Sequence, residues 1–127
     1  MSTLGPLYLL AALLCVALGV AHSYLGERFI LIRLFRRTDI PKLFGGTEFT
    51  IRTLRFAWHL TSVAWWGIGT LFFLMAQGPL SSSTVASTFA VVFLLSAGVT
   101  LIASRGRHLA WPVFLVVGLI ALYGSTA

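Results

Sequence analysis

Apolar residues run through this chain in long unbroken stretches rather than in alternation. Positions 2–26, 56–104 and 108–127 contain no Asp, Glu, Lys or Arg. The middle stretch is punctuated by residues 77–84, QGPLSSST, whose Gly-Pro pair and serine cluster mark a turn. A membrane-crossing helix needs about 20 predominantly apolar residues. The pattern therefore predicts four spans, near 4–26, 56–77, 84–104 and 108–125. A membrane β-barrel would instead show alternating segments of about ten residues, and these runs are continuous.

The expected fold is an all-α integral membrane protein, a four-transmembrane-helix bundle forming one domain over 1–127. Composition agrees. The chain is 58% hydrophobic and 9% charged, with a mean hydropathy of +0.96. A soluble domain carries about 25% charged residues, so this chain has too little polar surface for water and needs lipid as its solvent. The single cysteine, Cys15, excludes an internal disulfide and any C-x-x-C redox pair, and is expected to act as a small packing residue. The segment GVAHS (19–23) resembles a small-residue cleavage site, but no basic region precedes it, so a retained first helix is expected.

Charge sets the expected orientation. All nine basic residues fall in two connections: Arg28, Arg33, Arg36, Arg37, Lys42, Arg52 and Arg55 in the first, Arg105 and Arg107 in the last. The three acidic residues, Glu27, Asp39 and Glu48, share the first connection. With four spans both connections lie on one side, and short basic loops stay cytoplasmic. Both termini are then expected on the non-cytoplasmic side of an inner (plasma) membrane. The net charge of +6 accordingly points to anionic headgroups on the cytoplasmic side as the partner. Nucleic acid is not expected, because the pattern leaves no exposed domain to bind it. Within the first connection, ERFILIRLFRR (27–37) mixes apolar residues with arginines. It is expected either to lie amphipathically in the headgroup layer or to extend the first helix. The Pro41 and Gly45-Gly46 breaks follow it.

Candidate chemistry centres on RFAWHLTSVAWW, residues 55–66, where His59 enters an apolar span. His22 precedes Glu27 by five residues, His59 follows Arg55 by four and His108 follows Arg107 directly. At about 1.5 Å per residue, three imidazoles from three helices stand at one depth. Helical spacing puts Ala12, Cys15, Gly19, His22 and Gly26 on one stripe, and Arg52, Arg55, His59, Ser62, Trp66 and Gly69 on another. Ser96, Thr100 and Ser104 form a third. Polar faces turn away from lipid, so these stripes are expected to converge on a pocket near the cytoplasmic surface.

His22, His59 and His108, with Glu27 as a fourth ligand, suit a transition metal ion such as Zn or Fe. A three-ligand site would leave a position for water or substrate. Glu27 lies about 140° around the helix from His22, so its joining requires a distorted helix end, with Gly26 as the place for it. There is no H-E-x-x-H and no histidine pair at i, i+3 or i+4. Haem b is the alternative cofactor: His22 and His59 as axial ligands, Gly19 and Gly26 making room, Arg52 or Arg55 on the propionates and a tryptophan against the ring. Two further readings use the same residues. Arg52, Arg55, Arg105 and Arg107 form a basic ring for a phosphate or lipid headgroup. Alternatively the histidines and tryptophans are interfacial residues of a structural or accessory subunit, a homo-oligomer or a member of a membrane complex. Proton-driven transport would want a charge at mid-depth, and none is present. Nor is there the mid-helix glutamate of small multidrug transporters or the C-x-x-C of vitamin K epoxide reductases.

Overall fold

The computed structural model describes residues 3–127; Met1 and Ser2, which the domain 1–127 includes, lie outside the described residues. Four helices account for most of the chain, and there is no sheet among the described residues. Helix α1 runs over Gly5–Leu34, α2 over Glu48–Gln77, α3 over Ser82–Ser104 and α4 over Ala110–Thr126. The first three are long and apolar enough to cross a membrane. Helix α4 has 17 residues, about 25 Å of helix, and is the shortest of the four.

At one boundary the second of the two expected alternatives holds, and at another the structure differs from the expectation. Helix α1 continues eight residues past Gly26, through a π-helical segment Gly26–Leu31 and a last turn Ile32–Leu34. The arginine-rich segment thus extends the helix, and its apolar Leu31 is buried. Helix α2 begins at Glu48 rather than near residue 56. Its two charged opening turns are held by an i, i+4 ion pair, Glu48 to Arg52 at 2.7 Å. Between α1 and α2 the chain makes a tight turn at Leu43–Gly46, in which Phe44 and Gly45 both have positive φ.

Each helix packs only on its neighbours in sequence: α1 on α2, α2 on α3, and α3 on α4. Among the described residues α1 touches neither α3 nor α4. The bundle is therefore open, a row of helices without a shared interior. Only 17, 17 and 22% of the apolar windows of α1, α2 and α3 are buried within the protein. Exposed surfaces this apolar are compatible with a membrane protein.

Candidate functional site

Helices α1 and α2 meet through small residues on one and large donors on the other. The indole of Trp66 lies over Gly19 and that of Trp58 over Gly26, each so close that a Cβ on the glycine would overlap the ring. Three α2 side chains, four residues apart, then donate to α1 backbone carbonyls. Trp58 Nε1–H bonds to His22 O at 3.0 Å, Ser62 Oγ–H to Gly19 O at 2.9 Å and Trp66 Nε1–H to Val16 O at 3.3 Å. His22 answers from α1, its Nε2–H donating to Trp58 O at 3.2 Å while its ring stacks on Trp58 at 4.5 Å and 5°. The edge of Trp65 closes the other side at 4.9 Å.

The π-helical segment starts where this joint ends. Ile32 N–H bonds to Glu27 O, five residues back, and such insertions rephase the helix beyond them. Glu27 itself, four residues after Ser23 and eight after Gly19, faces α2. Its carboxylate takes Arg55 at 3.0 Å on one oxygen and His59 Nε2 at 3.2 Å on the other. His59 Nδ1 meets Ser23 Oγ at 2.9 Å, and Ser23 Oγ meets Ser62 Oγ at 2.7 Å. A carbonyl only accepts, so Ser62 spends its proton on Gly19 O and must accept from Ser23. Ser23 in turn accepts from His59 Nδ1–H. Polar contacts thus run from Gly19 O through Ser62, Ser23 and His59 to the Glu27 carboxylate.

On the other side of α2, towards α3, an open cleft of about 430 Å³ is lined by Arg52, Arg55 and Arg105, with His59 beside them. Its apolar lining comes from Phe56, Val99 and Ile102. Arg52 is held from both helices, donating to Ala103 O at 3.3 Å and pairing with Glu48. Arg105 approaches the same Glu48 oxygen at 3.9 Å. Helix α3 ends in a left-handed pair, Arg105 (φ 52°) and Gly106 (φ 76°), closed by Gly106 N–H on Leu101 O at 2.9 Å. That turn delivers Arg105, Arg107 and His108 to the charged end of α2. Arg107 itself lines a smaller hollow of about 50 Å³ with Glu48, Phe49 and Ser104.

The residues singled out from sequence are thus distributed over three places. Glu27, His59 and Arg55 meet. Arg52 and Arg105 stand next to them across the cleft. His22 belongs to the tryptophan joint, and His108 is elsewhere again, its ring between Phe49 and Phe56 at 5.7 and 5.0 Å and its Nδ1 accepting the Ala110 N–H at 3.1 Å. No three His, Cys, Asp or Glu side chains come together as a metal-holding group among the described residues. The expected cluster of His22, His59, His108 and Glu27 finds no support here, for a physical reason: an open row gives residues of α1, α2 and the α3–α4 turn no common interior to face. Nor does the α1–α2 joint fit haem b, since the space beside Gly19 and Gly26 is filled by two indoles. Ser96, Thr100 and Ser104 are buried as their spacing implied. Ser96 donates to its own helix at Val92 O and Ser104 accepts the His108 N–H.

Sequence reasoning missed Ser23 and Glu48. Ser23 follows Gly19 by four residues and precedes Glu27 by four, a spacing that could have placed it on the contact face. No family model, no curated protein and no solved structure matches the chain.

Proposed function

We propose that this is a small multi-pass protein of the inner (plasma) membrane that binds a phosphate-bearing lipid headgroup at the basic end of α2 and α3. The observation that carries this reading is the cleft itself: three guanidiniums from two helices open into one hollow that also has an apolar lining. Guanidinium is the donor best matched to phosphate oxygens, and an anionic headgroup is the phosphate source nearest to a basic membrane face. The positive-inside pattern supports a cytoplasmic location for this end, with α4 as a fourth, short span and both termini on the opposite side. Glu27 and Glu48 keep Arg55 and Arg52 oriented while leaving guanidinium edges in the cleft.

The test is the lipid that copurifies with the protein from its native membrane. Anionic phospholipid enriched over the bulk membrane, and no longer enriched in the Arg52→Gln/Arg105→Gln variant, is the expected result. Equal lipid composition in both proteins refutes the reading. Stoichiometric metal that disappears with His59→Ala would replace it with the metal site. A second reading, an accessory subunit, has one observation in its favour: of the 17 residues of α4 only Gly118 is buried. A partner helix crosslinked to α4 in the native membrane is its test.

A further inference from the structure

A second hollow lies in line with the headgroup cleft beyond His59. Along α2 the cleft residues Arg52, Arg55 and His59 are followed at helical steps by Val63, Trp66 and Thr70, which line this second hollow of about 270 Å³. Along α3, running the other way, Val99 of the first hollow is followed by Leu95 and Val91 of the second. Steps of three and four residues keep each set on one helix face, so the two hollows lie in line along the α2–α3 seam, and together they are taken as one groove. From His59 to Thr70 the groove runs 11 residues, about 16 Å at 1.5 Å per residue. One leaflet of hydrocarbon is about 15 Å, half of the roughly 30 Å core. The groove is therefore polar and cationic at the membrane surface and apolar through one leaflet, the polarity profile of a lipid lying against it.

Charge narrows the headgroup. The three guanidiniums of the cleft are opposed by two carboxylates, Glu27 on Arg55 at 3.0 Å and Glu48 on Arg52 at 2.7 Å. Within the cleft lining this leaves one positive charge, Arg107 standing outside it beside Glu48, and a single excess charge suits the single negative charge of a phosphodiester better than the higher charge of a phosphate monoester.

We infer that the α2–α3 seam is a binding site for one glycerophospholipid, its phosphodiester at Arg52, Arg55 and Arg105 and one acyl chain along Val63, Trp66 and Thr70. The inference rests on the headgroup reading above and adds the chain and the diester to it. The occupant is an individual lipid held by both ends of the groove, in contrast to a fluid annular lipid held by neither.

The experiment is native mass spectrometry of the full chain in detergent, titrated separately with dioleoylphosphatidylglycerol, dihexanoylphosphatidylglycerol and dioleoylphosphatidate. Two groove-filling variants are compared with the parent, Val91→Trp and Thr70→Trp, both at exposed positions where a larger side chain meets lipid rather than core. The expected result is at least a fivefold loss of affinity for the dioleoyl diester in both variants, with dihexanoyl binding unchanged, and parent binding of the diester tighter than of phosphatidate. Arg52→Gln/Arg105→Gln should weaken both diesters. Unchanged dioleoyl affinity in the groove-filling variants overturns the acyl site while leaving the headgroup reading intact. Tighter binding of phosphatidate overturns the diester assignment. Undiminished binding of both diesters to the double arginine variant overturns the headgroup reading, and this inference with it.

Discussion

Alanine at Gly26 is the sharpest probe of how α1 and α2 are joined. On an isolated helix this change stabilises, since glycine is about 1 kcal/mol poorer than alanine in a helix interior. Here the new Cβ would overlap the indole of Trp58 at Nε1, Cε2 and Cζ2 together, so the ring must swing out. It then loses its bond to His22 O at 3.0 Å and its stack on His22 at 4.5 Å. Overpacking of this kind costs about 1–3 kcal/mol. The displaced hydrogen bond adds about 0.6 kcal/mol, the average for membrane proteins, and the lost ring stack about 0.5–1.5 kcal/mol. These terms belong to one movement and do not add fully. Set against the gain in helix propensity, the net expectation is a loss of about 1–3 kcal/mol.

The assay is reversible unfolding in mixed detergent micelles, run as a double-mutant cycle with Trp58→Ala. Removing the indole empties the space, so Gly26→Ala should then become neutral or stabilising by up to about 1 kcal/mol. The sign of the effect reverses between the two backgrounds. Stabilisation by Gly26→Ala in the parent protein, or equal destabilisation in both backgrounds, refutes the indole-on-glycine joint.

Two other outcomes follow from single observations. Thr100 is fully buried and its hydroxyl has no hydrogen-bond partner, so Thr100→Val, which removes only the unsatisfied group, should hold or raise stability by up to about 1 kcal/mol; a loss larger than that in the same unfolding assay shows that the hydroxyl is used. In the exposed connection, the Arg37 side chain hydrogen-bonds both oxygens of Asp39 at 2.8 and 2.6 Å and holds its carboxyl below the ordinary carboxylate range. That pair is present above the ordinary Asp value of about 3.9 and is lost as the pH falls through the lowered one. A carboxyl-carbon NMR titration should find Asp39 displaced downward and returned to the ordinary range by Arg37→Gln, and no change on that substitution sinks the pairing.

The helices and the positions of the small residues were legible in the sequence because lipid imposes them locally. An apolar run long enough to cross the bilayer must satisfy its backbone within itself, and the Ala12–Cys15–Gly19–His22–Gly26 stripe follows from spacing alone. The starts and ends were less legible. Glu48 and the arginines of α2 lie in the helix although they lie outside its apolar run, because hydropathy marks the lipid boundary and not the end of hydrogen bonding. What spacing cannot give is which stripes face one another. His22, His59 and His108 do share the basic end of the row, yet His22 stacks on Trp58 and His108 sits between Phe49 and Phe56. A polar side chain leaves lipid as readily by bonding to a neighbouring carbonyl as by joining a common pocket. Glu27 stands on the Gly19–Ser23 spacing of four, and the helix is distorted at Gly26 as its joining was expected to require, but its partner is His59 and not His22.

Packing and charge together set where the proposed groove lies. Glycine lets α1 and α2 close at Gly19, Gly26 and Gly69, the last against Cys15 Cβ at 2.9 Å and Ala12 O at 3.3 Å from where its own Cβ would stand. Helices α3 and α4 close at Gly118, against Leu94. Along α2 and α3 there is likewise one such approach, Gly67 against Val92. A hollow of about 370 Å³ also opens between α1 and α2, but its lining carries no arginine, whereas the α2–α3 seam has three at one end, Arg52, Arg55 and Arg105. On the proposed reading, a lipid drawn to those arginines meets the groove without any further element to guide it.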